Sequence, residues 1–309
     1  MKPNITQQNL SPRAWALLLL LALIWGGSFL SNRAALEEVG VLTTVAFRVG
    51  GAAIVLWGWI FWRGLVLPGG RRLGRFLIMG FLNNVIPFTL IVWGQTRVDS
   101  GLAAILNAAT AIFAVLLSAL VFDDERLTPR KGVGVTLGFI GVAMAMGVGH
   151  LFALDPRSLG QIAILGASVS YACAAAYGRV ALKGLRPEVS AAGMLTGAAL
   201  VMIPLALWRE GTPTLDYTPA TWAALLYLAL MASALAYLLY YAVLQVAGAG
   251  NLSLVTLLIP PIAIALGALV YGEALPLSAY LGFAVLALGL LILDGRIAPK
   301  PRTRTQESA

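Results

Sequence analysis

The sequence predicts an all-α membrane protein of ten transmembrane helices, arranged as two inverted five-helix repeats. Three observations carry this prediction. Of 309 residues, 60% are hydrophobic and 11% charged, with a mean hydropathy of +0.87. Soluble domains carry about 25% charged residues, so too few polar groups remain to cover a water-facing surface. Ten mostly apolar runs stand near the length, about 20 residues, that a helix needs to cross a hydrocarbon core roughly 30 Å thick with its backbone satisfied internally. Finally, a displacement of 148 positions lays Glu125 on Glu273, Leu127 on Leu275, Gly134 on Gly282 and Gly141 on Gly289 without a gap.

The first run, 14–34, follows Lys2 and Arg13 as a signal peptide would. It is longer than the usual apolar stretch of about 7–15 residues, and no A-x-A cleavage site follows it, so it is expected to stay in the membrane. The second, 42–62, carries Arg48 about two turns inside its first end. After the breaker Leu67-Pro68-Gly69-Gly70 comes the third, 76–96, with Asn83, Asn84, Pro87, Phe88 and Gln95. The fourth, 102–122, holds Asn107 and Thr110 and ends at the acidic stretch Asp123-Asp124-Glu125. Thr128-Pro129 opens the glycine-spaced fifth, 132–148. The second half repeats the order: 159–180 with Ser168 and Tyr171, 190–208, 221–243 with Ser233, Tyr237, Tyr240 and Tyr241, 252–270 with Thr256 and Pro260-Pro261, and 279–293. The repeats are therefore placed at 14–148 and 159–293, with a basic tail at 294–309. Five is odd, so the second half enters the bilayer with the opposite orientation. Such inverted repeats imply a site near the midplane and alternating access, the organisation of a secondary transporter.

Charge placement sets the orientation. With both termini in the cytoplasm, sixteen of the 21 Lys and Arg residues fall on the cytoplasmic side. Four (Arg33, Arg97, Arg157 and Arg209) fall on the other side, and Arg48 lies within a span. This is the positive-inside bias of an inner-membrane protein. It also accounts for the net charge of +8 without nucleic acid: the tail containing Arg296, Lys300, Arg302 and Arg304 is expected to meet anionic lipid. Membrane lipids and a small-molecule substrate are the expected partners, nucleic acid is not, and a monomer or weak dimer is anticipated.

Several classes are excluded. One cysteine, Cys173, and one histidine, His150, allow neither a disulfide framework nor a Cys/His metal centre. The chain has no G-x-x-x-x-G-K-[ST] phosphate loop, and no nucleophile and base stand together at membrane depth, so neither an enzyme nor an ATP-driven pump is expected. No metal or cofactor is anticipated.

A charge within the bilayer costs several kcal/mol and marks a site or a structural ion pair. Arg48 admits both readings: a structural arginine paired with Glu37, Glu38 or Glu273, or a counter-charge for a substrate carboxylate. Glu125 and Glu273, just past helix ends, are expected to cap the following helix. No carboxylate lies at mid-helix depth, and His150 falls in an outer loop. A proton relay is therefore not predicted, and the substrate is expected to be neutral overall. Neutral polar and aromatic groups form the candidate binding set: Trp25, Asn84, Phe88, Gln95, Asn107, Thr110, Tyr171, Ser233, Tyr237, Tyr240, Thr256 and Pro260. Asn84, Phe88 and Gln95 share a helical face by their spacing, as do Ser233, Tyr237 and Tyr240. The same side chains could instead serve only to bond neighbouring helices. Pro260 and Pro261 deprive carbonyls near Thr256 and Leu257 of donors, and Pro87 is a second candidate hinge. Arg48, Pro87, Glu125, Pro261 and Glu273 are assigned structural or gating roles.

The segment Trp25-Gly26-Gly27-Ser28-Phe29, Phe47-Arg48, the stretches Asp124-Glu125-Arg126-Leu127 and Gly272-Glu273-Ala274-Leu275, and the glycine-spaced fifth and tenth spans resemble the EamA family of the drug/metabolite transporter superfamily. The resemblance extends from Trp15 to Leu293, and within the family it is strongest to the YddG-type amino-acid exporters. The first repeat departs from the Gly-Glu pattern, with Asp124 where the second has Gly272. The resemblance implies export of amino acids, aromatic or otherwise neutral, across the bacterial inner membrane. The alternative it leaves is a carrier of other small metabolites or cationic drugs.

Overall fold

In the computed structural model, residues 11–66, 69, 72–147 and 156–297 are described, and every regular element among them is helical. His150 and the tail beyond Ile297, with Lys300, Arg302 and Arg304, lie outside the described residues. Helical segments cover each of the predicted runs, with differences that follow from local chemistry.

Helix α1 (Pro12–Ala35) starts where the Ser11 hydroxyl accepts from the Ala14 amide at 3.2 Å. Helix α2 (Val41–Trp62) is capped from a distance: the Glu210 carboxylate accepts from the Leu42 and Thr43 amides at 3.0 and 2.8 Å. The third run is broken into α3 (Leu73–Gly80), a π-helical turn (Phe81–Val85) and α4 (Ile86–Gln95). Pro87 cannot donate, and just before it the Ile86 amide reaches five residues back to the Phe81 carbonyl. The fourth run splits at Ala108 and Ala109 into α5 (Ser100–Asn107) and α6 (Thr110–Val121).

Helices α7 (Pro129–Met146), α8 (Pro156–Ala181) and α9 (Pro187–Glu210) follow. The eighth run comprises α10 (Pro219–Leu226), a nine-residue π-helical segment (Tyr227–Leu235) and α11 (Ala236–Leu252), which kinks at Gly248 with φ 75°. The Thr218 amide donates to Glu38 at 2.9 Å, and hydrogen bonds from Thr221 and Thr218 hold that carboxyl below its ordinary pKa. Helix α12 (Val255–Tyr271) ends on Gly272 in the left-handed region, φ 65°, and α13 (Leu277–Leu293) completes the chain. Asp124 does not reproduce that ending: α6 closes instead on Phe122 in an extended conformation.

Among the described residues, seven helical stretches are long and apolar enough to cross a membrane, and α12 and α13 are shorter apolar helices of 17 residues each. The outside of the bundle is apolar: Ile54, Phe61, Leu120 and Leu269 are largely exposed, which suits lipid rather than water.

The packing is paired. Helix α1 contacts α12 as α8 contacts α6, and α4 contacts α8 as α11 contacts α1. The self-paired contacts are α2 with α9 and α7 with α13. In the last pair the backbones touch: a Cβ on Gly141 would stand 2.6 Å from the Gly282 carbonyl oxygen, and one on Gly289 would stand 2.7 Å from that of Gly134. The residues that match under the 148-position displacement thus meet crosswise, which side chains at those positions would prevent.

Candidate functional site

Between the repeats lies a cavity of about 440 Å³, within the range of small-ligand sites, about 300–1,000 Å³. Its walls come from both halves. Trp25, Ser28 and Asn32 line it from α1, Arg48 from α2, Phe88 from α4, Asn107 and Thr110 from the broken fourth run, Tyr171 from α8, Tyr237, Tyr240 and Tyr241 from α11, and Thr256 from α12.

The glycines beside Trp25 explain its position. A Cβ on Gly26 would lie 2.6 Å from the Ile262 side chain, and one on Gly27 would lie 2.5 Å from the Tyr227 hydroxyl. Both neighbours therefore pack against α1, and the Tyr227 hydroxyl donates to the Ile24 carbonyl at 3.0 Å. The Trp25 indole donates to the Ala232 carbonyl at 3.2 Å, inside the second π segment. In the first π turn, the Leu82 carbonyl accepts from Ser170 at 2.7 Å. Carbonyls in both loosened segments are thus met by side chains of the other repeat's first helix.

Tyr237 is the hub of the polar wall. Its hydroxyl accepts from Asn83 and from Asn84, each at 3.0 Å. Asn84 is fully buried behind the tyrosine and Ser233 is fully buried beside Arg48, so both support the wall from behind. Arg48 is 6% exposed, donates from Nε to the Ser233 hydroxyl at 2.9 Å, and lies over the Phe88 ring with its guanidinium carbon 3.8 Å from the centroid.

Several expectations are corrected. Arg48 pairs with none of Glu37, Glu38 or Glu273: Glu38 receives Thr218, and Glu273 pairs with Arg33. Rather than a purely structural arginine, it is a cavity residue. Glu273 does cap a helix, but in the opposite repeat: it accepts from the Ser100 and Gly101 amides at 3.2 and 3.3 Å. Glu125 pairs with Lys131 at 2.9 Å, while α7 is capped by Thr128, whose hydroxyl accepts from the Lys131 amide at 3.3 Å. Gln95 is not in the cavity wall: it accepts from Asn32 at 2.8 Å and donates to the Phe29 carbonyl at 2.9 Å, so it bonds two residues that are in the wall. Pro260 is buried within α12 and Pro261 is exposed, while Thr256, four residues before Pro260, faces the cavity.

Sequence reasoning passed over Asn32, Met79, Met194 and Ser253, which also line the cavity. Met194 had no signal in the sequence, where the 148-position displacement lays Thr196 on Arg48; it is the helix starts that make Met194 the eighth residue of α9, as Arg48 is the eighth of α2.

A chamber lined by polar and aromatic groups, held between two packed halves and surrounded by an apolar exterior, defines a membrane transporter. The chain belongs to the EamA-like transporter family, which matches residues 13–147 and 158–293. It is a multi-pass integral membrane protein and not an enzyme. It is 28% identical to Protein PagO of Salmonella typhimurium, over 89% of this chain and 91% of that one. It is 27% identical to a probable terminal-alkyne amino-acid exporter of Streptantibioticus cattleyicolor, over 95% and 97%. Identity to a probable amino-acid metabolite efflux pump of Escherichia coli K12 is 26%, over 92% and 95%. A solved crystal structure shares the fold with a TM-score of 0.65 at 18% identity, covering 93% of this chain and 99% of that one.

Proposed function

We propose that this chain is a secondary transporter that exports neutral amino acids, aromatic or otherwise apolar, across the bacterial inner membrane by alternating access. In this reading ten helices span the bilayer as two inverted repeats, 14–148 and 159–293, with both termini cytoplasmic and the protein acting as a monomer or weak dimer. The substrate sits among Trp25, Phe88, Asn107, Thr110, Tyr171, Tyr237, Tyr240 and Thr256, with Asn84 and Ser233 behind them. Pro87, Pro260 and Pro261 serve as hinges, and Glu125 and Glu273 as gates. The observation that carries the reading is the cavity itself: hydroxyls, amides and aromatic rings from both repeats converge on one chamber of about 440 Å³. The crosswise packing of α7 on α13 supports the inverted arrangement. The sequence distribution of Lys and Arg, sixteen in one alternating set of connections and tails against four in the other, supports the orientation. Two relatives named as amino-acid exporters or efflux pumps support the substrate class.

Counterflow in proteoliposomes tests it. Proteoliposomes holding the purified protein and preloaded with unlabelled phenylalanine or leucine are expected to accumulate the labelled counterpart without ATP. Absence of exchange with every amino acid, alongside exchange of another metabolite, overturns the substrate assignment.

A further inference from the structure

We propose that Arg48 selects the substrate by charge: the cavity accepts solutes that carry a carboxylate and discriminates against amines that lack one. This deepens the transport reading above and rests on the same cavity. Arg48 is 6% exposed and stands within an apolar span, where an uncompensated cation is costly. Among the described residues, no Asp or Glu lies within ion-pair distance of it. The carboxylates around the first end of α2 are occupied elsewhere: Glu210 by the Leu42 and Thr43 amides, Glu38 by Thr218, Glu273 by Arg33.

Of five guanidinium N–H groups, the one on Nε is taken by Ser233. Phe88 lies under the face of the group. A guanidinium backed on one face by a ring and fixed at Nε presents its terminal nitrogens edge-on, the geometry that grips a carboxylate with two parallel hydrogen bonds. Arg48 lines the cavity, so those nitrogens are available to a solute.

The chamber is also lopsided. Met194 occupies in α9 the place that Arg48 holds in α2, so the cation has no twin in the second repeat. Asn107, on the fourth run, contributes a buried side-chain oxygen with no hydrogen-bond donor. The same arrangement opposes cationic drugs, which bring a second positive charge and nothing to offset the first.

The test uses the intact protein in detergent and in proteoliposomes. L-Phenylalanine and L-leucine are compared with their amides, with the amines that lack the carboxyl group, and with the carboxylic acids that lack the amino group. Ligand-induced shift of the thermal unfolding midpoint and competition in counterflow are read for each. Compounds with a carboxylate are expected to shift the midpoint, and the amides and amines to compete at least tenfold more weakly. Arg48→Lys is expected to keep part of the preference and Arg48→Gln to abolish it. If Arg48→Gln does not fold, the ligand panel on the unaltered protein decides alone. Amides and amines competing as well as the amino acids overturn the proposal, as does a panel in which no carboxylate binds. Carboxylic acids binding without transport of any amino acid sink the amino-acid reading and leave the charge selection standing.

Discussion

Arg33 in the last turn of α1 pairs with Glu273 and lies over the Tyr271 ring, its guanidinium carbon 4.4 Å from the centroid. The same design recurs at the end of α8, where Arg179 lies 4.4 Å from the Phe122 centroid, bonds Asp124 at 2.5 Å and stands 4.0 Å from Glu125. The two ends are not equally tight. The Glu273 side chain is 3% exposed and also holds the amides at the start of α5, whereas that of Glu125 is 41% exposed and bonds Lys131. The Arg33 end is therefore the more tightly bonded of the two, which in the proposed alternating-access reading makes it the closed one.

Replacing Glu273 by Gln removes a charge-assisted contact to Arg33 and weakens two to backbone amides. Hydrogen bonds to charged groups are worth about 1.5–3 kcal/mol, so the population open at that end rises more than tenfold. A Ser28→Cys reporter in a Cys173→Ser background reads this directly. Its labelling by an impermeant maleimide added on the Arg33 face is expected to accelerate more than tenfold with Glu273→Gln, and unchanged labelling refutes the closure.

Tyr237→Phe leaves the Asn83 and Asn84 amides without their shared acceptor. The Asn84 donor is stranded in a buried site, which costs about 1–3 kcal/mol, whereas the half-buried Asn83 amide keeps its contact to the Met194 sulfur at 3.7 Å. The thermal midpoint is expected to fall, and transport to drop at least tenfold. Asn84→Ala added to Tyr237→Phe should cost less than the sum of the two single changes, because they share one interaction. Strict additivity of midpoint shifts would show that the pair does not act as a unit.

At the α7–α13 seam, a Cβ on Gly141 would lie 2.4 Å from the Leu286 amide nitrogen, whereas one on Gly132 would meet nothing within 4 Å. Gly141→Ala has to push two backbones apart, which costs roughly 1–3 kcal/mol or more. Gly132→Ala in the same helix is expected to be neutral or slightly stabilising. Size-exclusion profiles of the two variants, expressed side by side, should separate them: loss of the monodisperse peak for Gly141→Ala and an unchanged peak for Gly132→Ala.

The helical fold and the repeat were legible because membrane spans announce themselves by length and apolarity, and the glycines of α7 and α13 fall in one ungapped register. The aromatic wall was legible through spacing at Tyr237 and Tyr240. What periodicity could not foresee is the pair of π-helical segments, since a slipped hydrogen-bond register leaves the residue sequence unchanged. Those segments place Asn84 and Ser233 behind the wall. Gln95 was misassigned for a different reason: a buried amide reads the same whether it faces a solute or, as here, Asn32 and the Phe29 carbonyl. Arg48 was placed correctly within its span, but the partner charges expected for it are bonded elsewhere, which only three-dimensional packing decides.

The π segments also yield a paired prediction. Trp25→Phe keeps an aromatic ring against the cavity but removes the indole donor to the Ala232 carbonyl, and Ser170→Ala removes the donor to the Leu82 carbonyl. Interhelical hydrogen bonds within membranes are worth about 0.6–2 kcal/mol, so each variant should express and lose a few degrees in thermal midpoint. Their effects on transport should differ. Trp25 faces the cavity and Ser170 does not contribute to its lining, so Trp25→Phe is expected to weaken substrate affinity as well, whereas Ser170→Ala should alter the rate with affinity retained. Equal affinity losses in both variants would place the effect in the π segments rather than in the Trp25 ring.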